Sequence, residues 1–229
     1  MDIPLVYHPD YSFELPARHR FPMDKFARLH DLLRDSGILH AGNLHSPDIC
    51  SRELLSLAHA PDYVERFLDN QLSPKEQRRM GLPWSERLAR RTIRAVGGTL
   101  LTAELALKQG LACHLAGGTH HAHHDFASGF CIFNDLAITS RYLLAAGKAQ
   151  RILIFDCDVH QGDALGLLAM TDQGIAQRDR AVLEHCLGRD IPVCAVIGGG
   201  YSDDRAALAR RHALLHQAAN AVWQARGMG

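Results

Sequence analysis

The stretch from Arg151 to Asp163, RILIFDCDVHQGD, constrains the fold more than any other part of this chain. Ile152 to Phe155 are four bulky apolar residues without alternation, the pattern of a buried parallel strand covered on both faces. Polar groups then arrive together. Asp156, Asp158 and His160 alternate with Cys157 and Val159, so an extended backbone points all three to one side. Carboxylate and imidazole donors two residues apart, at the carboxyl end of a parallel strand, predict a divalent metal site. A salt-bridged strand end with an N-capping Asp is the plainer reading of a lone Asp-x-His. Gly162 and Asp163, following Asp-x-Asp-x-His, favour the metal.

The remaining ligands must come from elsewhere in the chain. Its 229 residues, 47% apolar and 22% charged, predict one globular domain over 1–229 with a sizeable core. Lysine plus arginine number 25, as do aspartate plus glutamate, so no overall basic field argues for nucleic acid. Fifteen histidines are the compositional excess, and they make metal or proton-transfer roles easier to staff. Six cysteines without a C-x-x-C pair fit a reduced intracellular protein. The opening MDIPLVYHPDY lacks the basic and apolar regions of a signal peptide, and no apolar run is long enough to span a bilayer. A cytoplasmic protein without a membrane partner is the expectation.

Along the chain, Leu5 to Tyr7 reads as a strand, and Phe26, Leu29, Leu32 and Leu33 as a helix stopped by Gly37. His59, Asp62 and Tyr63 mark a helix start that could border a pocket, with capping as the plain reading of Asp62. Trp84 to Gln109 reads as one long helix interrupted at Gly97 and Gly98, where close packing or a kink is expected. Leu111 to Ala116 is a buried strand running into Gly117, Gly118, Thr119, His120 and His121. Histidines directly after a Gly-Gly turn at a strand end suit general acid/base work, whereas His123 and His124 read as structural. Gly129 and Phe130 form a second glycine turn, with Phe130 a pocket wall, and a helix follows from Asn134 to Ala146. A helix opened by Thr171 leads to the strand Val193 to Ile197, which ends in Gly198, Gly199, Gly200 and Tyr201. A phenol there can donate to a developing oxyanion. Asp203 or Asp204 caps the terminal helix.

The ordered set THHA at 119–122, GFCIFND at 129–135, DCDVHQGD at 156–163 and GGGY at 198–201 resembles the histone deacetylase superfamily. Its bacterial, acetoin-utilisation-type branch is most similar, through VYHPDY, HRFPMDK and LAGGTHHA. The resemblance implies an open parallel α/β sheet flanked by helices, of the arginase/deacetylase kind. It also implies zinc held by Asp158 and His160, with His120 and His121 as the acid/base pair. Asp156 and Asp163 would orient those two histidines, Tyr201 would stabilise the oxyanion, and Gly129 and Phe130 would line an acyl-lysine channel. The implied reaction is hydrolysis of an N-acetyl group, on an acetylated protein or a small acetylated amine.

One departure stands against this pattern. The resemblance calls for a second zinc-binding aspartate on a later strand, but Asp163 runs almost at once into LGLLAMTDQGIAQRD, which resembles the segment beyond it. The chain reads as shortened near 163–165, with the third ligand and at least one strand missing. Two protein ligands predict weak zinc binding or none. Asp163, Asp172, Asp203 and Asp204 are the available substitutes, none with a motif behind it. A lost interior strand would also leave sheet edges that favour homo-oligomers. The rival expectations are a catalytically inactive remnant that binds a ligand or partner, and a two-metal phosphoesterase, for which too few carboxylates stand at the sheet edge.

Overall fold

The computed structural model describes residues 2–17, 19–158, 171–200, 202 and 204–228. Among them, strands β1 (Leu5–Val6), β2 (Leu44–His45), β3 (Leu111–His114) and β4 (Val193–Val196) form a parallel sheet in the order β2-β1-β3-β4. Leu5 pairs in register with Leu44 on one side and Cys113 on the other, and Leu111 with Val193. Parallel neighbours require long crossovers, and helices supply them.

These helices are α1 (Lys25–Asp35), α2 (Arg52–Leu55), α3 (Pro61–Leu68), α4 (Pro74–Met80), α5 (Glu86–Gln109), α6 (Asp135–Ala145), α7 (Asp172–Leu187) and α8 (Arg205–Ala225). Side-chain oxygens satisfy the first-turn N–H groups of most of them: Ser73 and Glu76 form a capping box on α4, while Ser85, Asn134, Thr171 and Asp204 cap α5, α6, α7 and α8. Helix α5 packs over β3 and β4 and against α6, whereas α8 packs on α1, α7 and β3. Leu29, Leu33, Phe67, Leu111 and Trp223 are fully or almost fully buried. Each such side chain contributes about 1.5–3 kcal/mol by leaving water. The glycine pair does not interrupt α5. A Cβ at Gly98 would collide with His114 and Tyr11, and one at Gly97 with the Asp48 carbonyl, so close packing is what the pair provides.

The run Ile152–Phe155 is not the buried strand its composition predicts. It belongs to no strand, and Leu153 is 84% and Phe155 62% exposed. Four apolar residues in a row report a preference for burial, but a parallel strand also needs neighbours to pair with. Among the described residues, β4 ends the sheet and no strand lies beside 152–155. The open parallel sheet flanked by helices is as expected.

Candidate active site

The carboxyl ends of β3 and β4 meet through glycines. Gly117 and Gly118 follow β3 with φ of +85° and +75°, a conformation open to residues without a Cβ. A Cβ on Gly118 would stand 2.5 Å from the Cα of Gly198, which follows β4.

The turn is held by Asp135, the first residue of α6, which is 1% exposed. Its carboxylate accepts from the backbone N–H of Gly118 at 3.0 Å, the N–H of Thr119 at 2.7 Å, the Thr119 hydroxyl at 2.6 Å and the Thr99 hydroxyl at 2.5 Å. Charged acceptors make the stronger hydrogen bonds, so this cluster fixes the backbone that leads into His120. Behind it, Thr99 Oγ1 lies 3.1 Å from His114 Nδ1, and His114 Nε2 lies 2.8 Å from the Tyr11 hydroxyl. Because Thr99 donates to Asp135, His114 Nδ1–H donates to Thr99 and its Nε2 accepts from Tyr11. That neutral tautomer agrees with burial pushing the His114 pKa down to about 3.

His120 and His121 emerge from the turn with their ring centroids 4.2 Å apart. His120 Nδ1 lies 3.5 Å from Asp156 Oδ2, while its Nε2 is buried and has no hydrogen-bond partner among the described residues. Buried polar atoms are almost always paired, so an orphan beside a cavity marks a position for a ligand or water. His121 packs over Gly129, whose φ is +55°. The backbone N–H of Asp158 donates to Asp156 Oδ1 at 2.8 Å, and Asp158 Oδ2 accepts from the N–H of Gly199 at 2.8 Å. A Cβ at Gly199 would collide with that carboxylate oxygen, so a side chain there would have to displace the Asp158 carboxylate.

These residues surround a cavity of about 50 Å³ lined by His120, His121, Gly129, Phe130 and Asp158. Two further lining residues, Lys25 and Arg91, are buried at 2% and 5% exposure. Lys25 Nζ lies 3.5 Å from the Gly198 carbonyl, and both cations stand over the Phe26 ring. Burial, and then the charge of Arg91, push the Lys25 ammonium down to about 8, and burial likewise lowers the Arg91 pKa. Neither cation meets a carboxylate within 4.0 Å among the described residues, so the cavity has a wall suited to negative charge.

The structure therefore brings together His120, His121, Asp156, Asp158, Gly129 and Phe130. His160, Asp163, Tyr201 and the substitute ligand Asp203 lie outside the described residues. Asp172 pairs with Arg211 at 3.1 Å and Asp204 caps α8, so both substitutes are engaged elsewhere. Among the described residues, no group of three or more His, Cys, Asp or Glu side chains is placed to hold a metal. The six cysteines are unbridged.

His59 supports the site from behind: its Nε2 accepts from the Asn134 N–H at 2.8 Å, and its Nδ1 lies 3.2 Å from the His124 carbonyl. Tyr63 donates to the Ile132 carbonyl at 2.8 Å, and Asp62 pairs with Arg66 on the surface. His124 Nδ1 lies 2.9 Å from the Ala58 carbonyl, a structural role. Lys25 and Arg91, which line the cavity, and Asp135, which braces the turn leading into His120, are the residues that sequence reasoning missed. Asp135 stands inside GFCIFND, a signal that marks the motif without assigning the residue. Lys25 ends HRFPMDK, likewise a signal that marks the motif without assigning the residue, and Arg91 stands in no motif.

Residues 19–165 match the histone deacetylase domain family. An uncharacterized protein of Picosynechococcus is 40% identical over 300 residues, covering 97% of this chain and 100% of its own. The acetoin utilization protein AcuC of Staphylococcus aureus is 36% identical over 162 residues, covering 66% of this chain and 41% of AcuC. Against the AcuC proteins, then, the chain spans about two-fifths of their length. Among solved structures, a deacetylase homologue complexed with SAHA is 25% identical with a TM-score of 0.52, covering 64% of this chain and 42% of its own. The HD domain of HDA15, 15% identical with a TM-score of 0.72, covers 99% of this chain and 90% of its own, a likeness of fold. No helix among the described residues is long and apolar enough to cross a membrane.

Proposed function

The chain belongs to the histone deacetylase family, and from that premise we propose that its cavity receives an N-acetyl amide, on acetyl-lysine or a small acetylated amine, for hydrolysis. The observation that carries this reading is His120, whose Nδ1 lies 3.5 Å from Asp156 and whose buried Nε2, beside the cavity, has no partner among the described residues. An orienting carboxylate on one ring nitrogen fixes which tautomer the other presents. His120 takes the proton of the attacking water as the new C–O bond forms. The C–N bond then breaks, and His121 returns a proton to the departing amine, leaving acetate. Tyr201, next to Gly198 to Gly200, is assigned the hydrogen bond to the oxyanion.

Relatives in this family are generally zinc-dependent, and Asp158 with His160 would be the donors here. The described donor set does not fit a catalytic zinc, which rests on three protein ligands plus water. The sequence's lack of the expected second zinc-binding aspartate supports a second reading, a binding protein that keeps the acetyl-amide pocket without turnover. A chain shortened near 163–165 would account for the difference, and the alignment to the Picosynechococcus relative over 300 residues, against 229 here, is in keeping with that reading.

Acetate release from an acetyl-lysine peptide, with zinc supplied, separates the readings. Hydrolysis that falls by about 10²-fold or more in His120→Ala supports the enzyme. Peptide binding without acetate release from zinc-supplemented wild type establishes the binding protein.

A further inference from the structure

Gly129 and Phe130, which line the cavity, end the loop Phe126–Phe130, and both phenyl rings of this loop carry a guanidinium. Arg79, in the last turn of α4, stands 3.6 Å from the Phe126 centroid, and Arg20, in the loop before α1, stands 5.1 Å from the Phe130 centroid. The supports of this arrangement are interlocked. The Phe130 N–H donates to the Met80 carbonyl at 3.2 Å, and His19 Nε2 lies 3.0 Å from the Gly81 carbonyl. His19 also meets the edge of Phe130 at 6.0 Å, while His123 stacks on Phe126 at 4.1 Å.

Arg20 and Arg79 are exposed, and neither forms an ion pair within 4.0 Å among the described residues, although Asp125 adjoins Phe126. Arg28, Arg52, Arg66 and Arg94, by contrast, each meet a carboxylate of this chain. The chain as a whole has no net charge, so the positive rim is local. Stacking occupies the face of a guanidinium and leaves its N–H edge, the part that takes up a carboxylate bidentately. Holding the guanidinium against a ring also lowers the entropy lost when a ligand binds.

We propose that Arg20 and Arg79 form a basic rim that selects acetyl-lysine flanked by aspartate or glutamate in a peptide segment. This deepens the acetyl-amide reading of the cavity and rests on it. Exposed ion pairs each change binding by up to about fivefold, so the two together set a preference of about tenfold.

The test is the dissociation constant, by fluorescence polarisation, of acetyl-lysine peptides with acidic, neutral or basic flanks and of the unacetylated acidic peptide. Wild type and the Arg20→Gln/Arg79→Gln variant are compared at low and high salt, with circular dichroism and the neutral peptide as controls on folding. The expected result is about tenfold tighter binding of the acidic acetylated peptide than of the basic one. The preference should vanish in the variant and at high salt, with the neutral peptide unaffected. Equal binding of all acetylated peptides, or a preference that survives in the variant, overturns the rim and leaves the cavity reading intact. Arginine-dependent binding of acidic peptides with or without the acetyl group supports the rim and sinks the acetyl-amide reading. If no peptide binds, both are overturned.

Discussion

Asp135 shows how much of this site depends on a residue that touches no substrate. Four hydrogen bonds to one buried carboxylate hold the Gly118–Thr119 turn from which both histidines project. The histidines themselves were legible, because imidazoles after a Gly-Gly turn at a strand end have few structural uses. Asp135 was not, since its role depends on the strand and helix that the fold brings beside it. Buried histidines form a second residue-scale feature. Burial pushes His114 down to about 3 and His216 down to about 4, and holds His212 well below the ordinary value. All three enter the folded protein neutral, while the unfolded chain protonates them near pH 6.5. Their favourable state is therefore kept above about pH 6.5 and lost as the pH falls toward 4 and then 3. At pH 5, His114 and His216 should each have withdrawn about 2 kcal/mol of stability. Urea unfolding midpoints at pH 7.5 and 5.0 check this, and His216→Gln should show a smaller drop between them than wild type. An equal drop in the variant would remove His216 from the account.

At the scale of elements, the helices follow their sequence signals closely. Asn134, Thr171 and Asp204 mark starts that the structure keeps, and the stop at Gly37 follows α1. Segment 152–155 departs from them for a physical reason: local composition fixes a wish for burial, whereas pairing depends on strands elsewhere in the chain. Leu153 and Phe155 consequently face solvent, and the edge strand β4 has no described neighbour beyond it. Exposed apolar runs and open edges promote association between chains. Sedimentation velocity should show concentration-dependent oligomers in wild type and a larger monomer fraction in Leu153→Asp. Unchanged sedimentation in that variant would place any association elsewhere.

For the whole molecule, the parallel sheet and the convergence of β3 and β4 at their carboxyl ends were readable from the apolar runs and the glycines that follow them. The two buried cations, Lys25 and Arg91, could be read only once α1 and α5 had been placed against the Gly198–Gly199 turn. The central proposal is an acetyl amide seated against the His120 Nε2, which has no partner among the described residues. Nitrogen-15 NMR of histidine-labelled protein tests that claim most directly, with His120 assigned by its loss in His120→Ala. Titration with an acetyl-lysine peptide should shift the His120 Nε2 resonance in a saturable way, and the unacetylated peptide should leave it unmoved. An Nε2 signal unaffected by the acetylated peptide, or moved equally by both, would contradict the account.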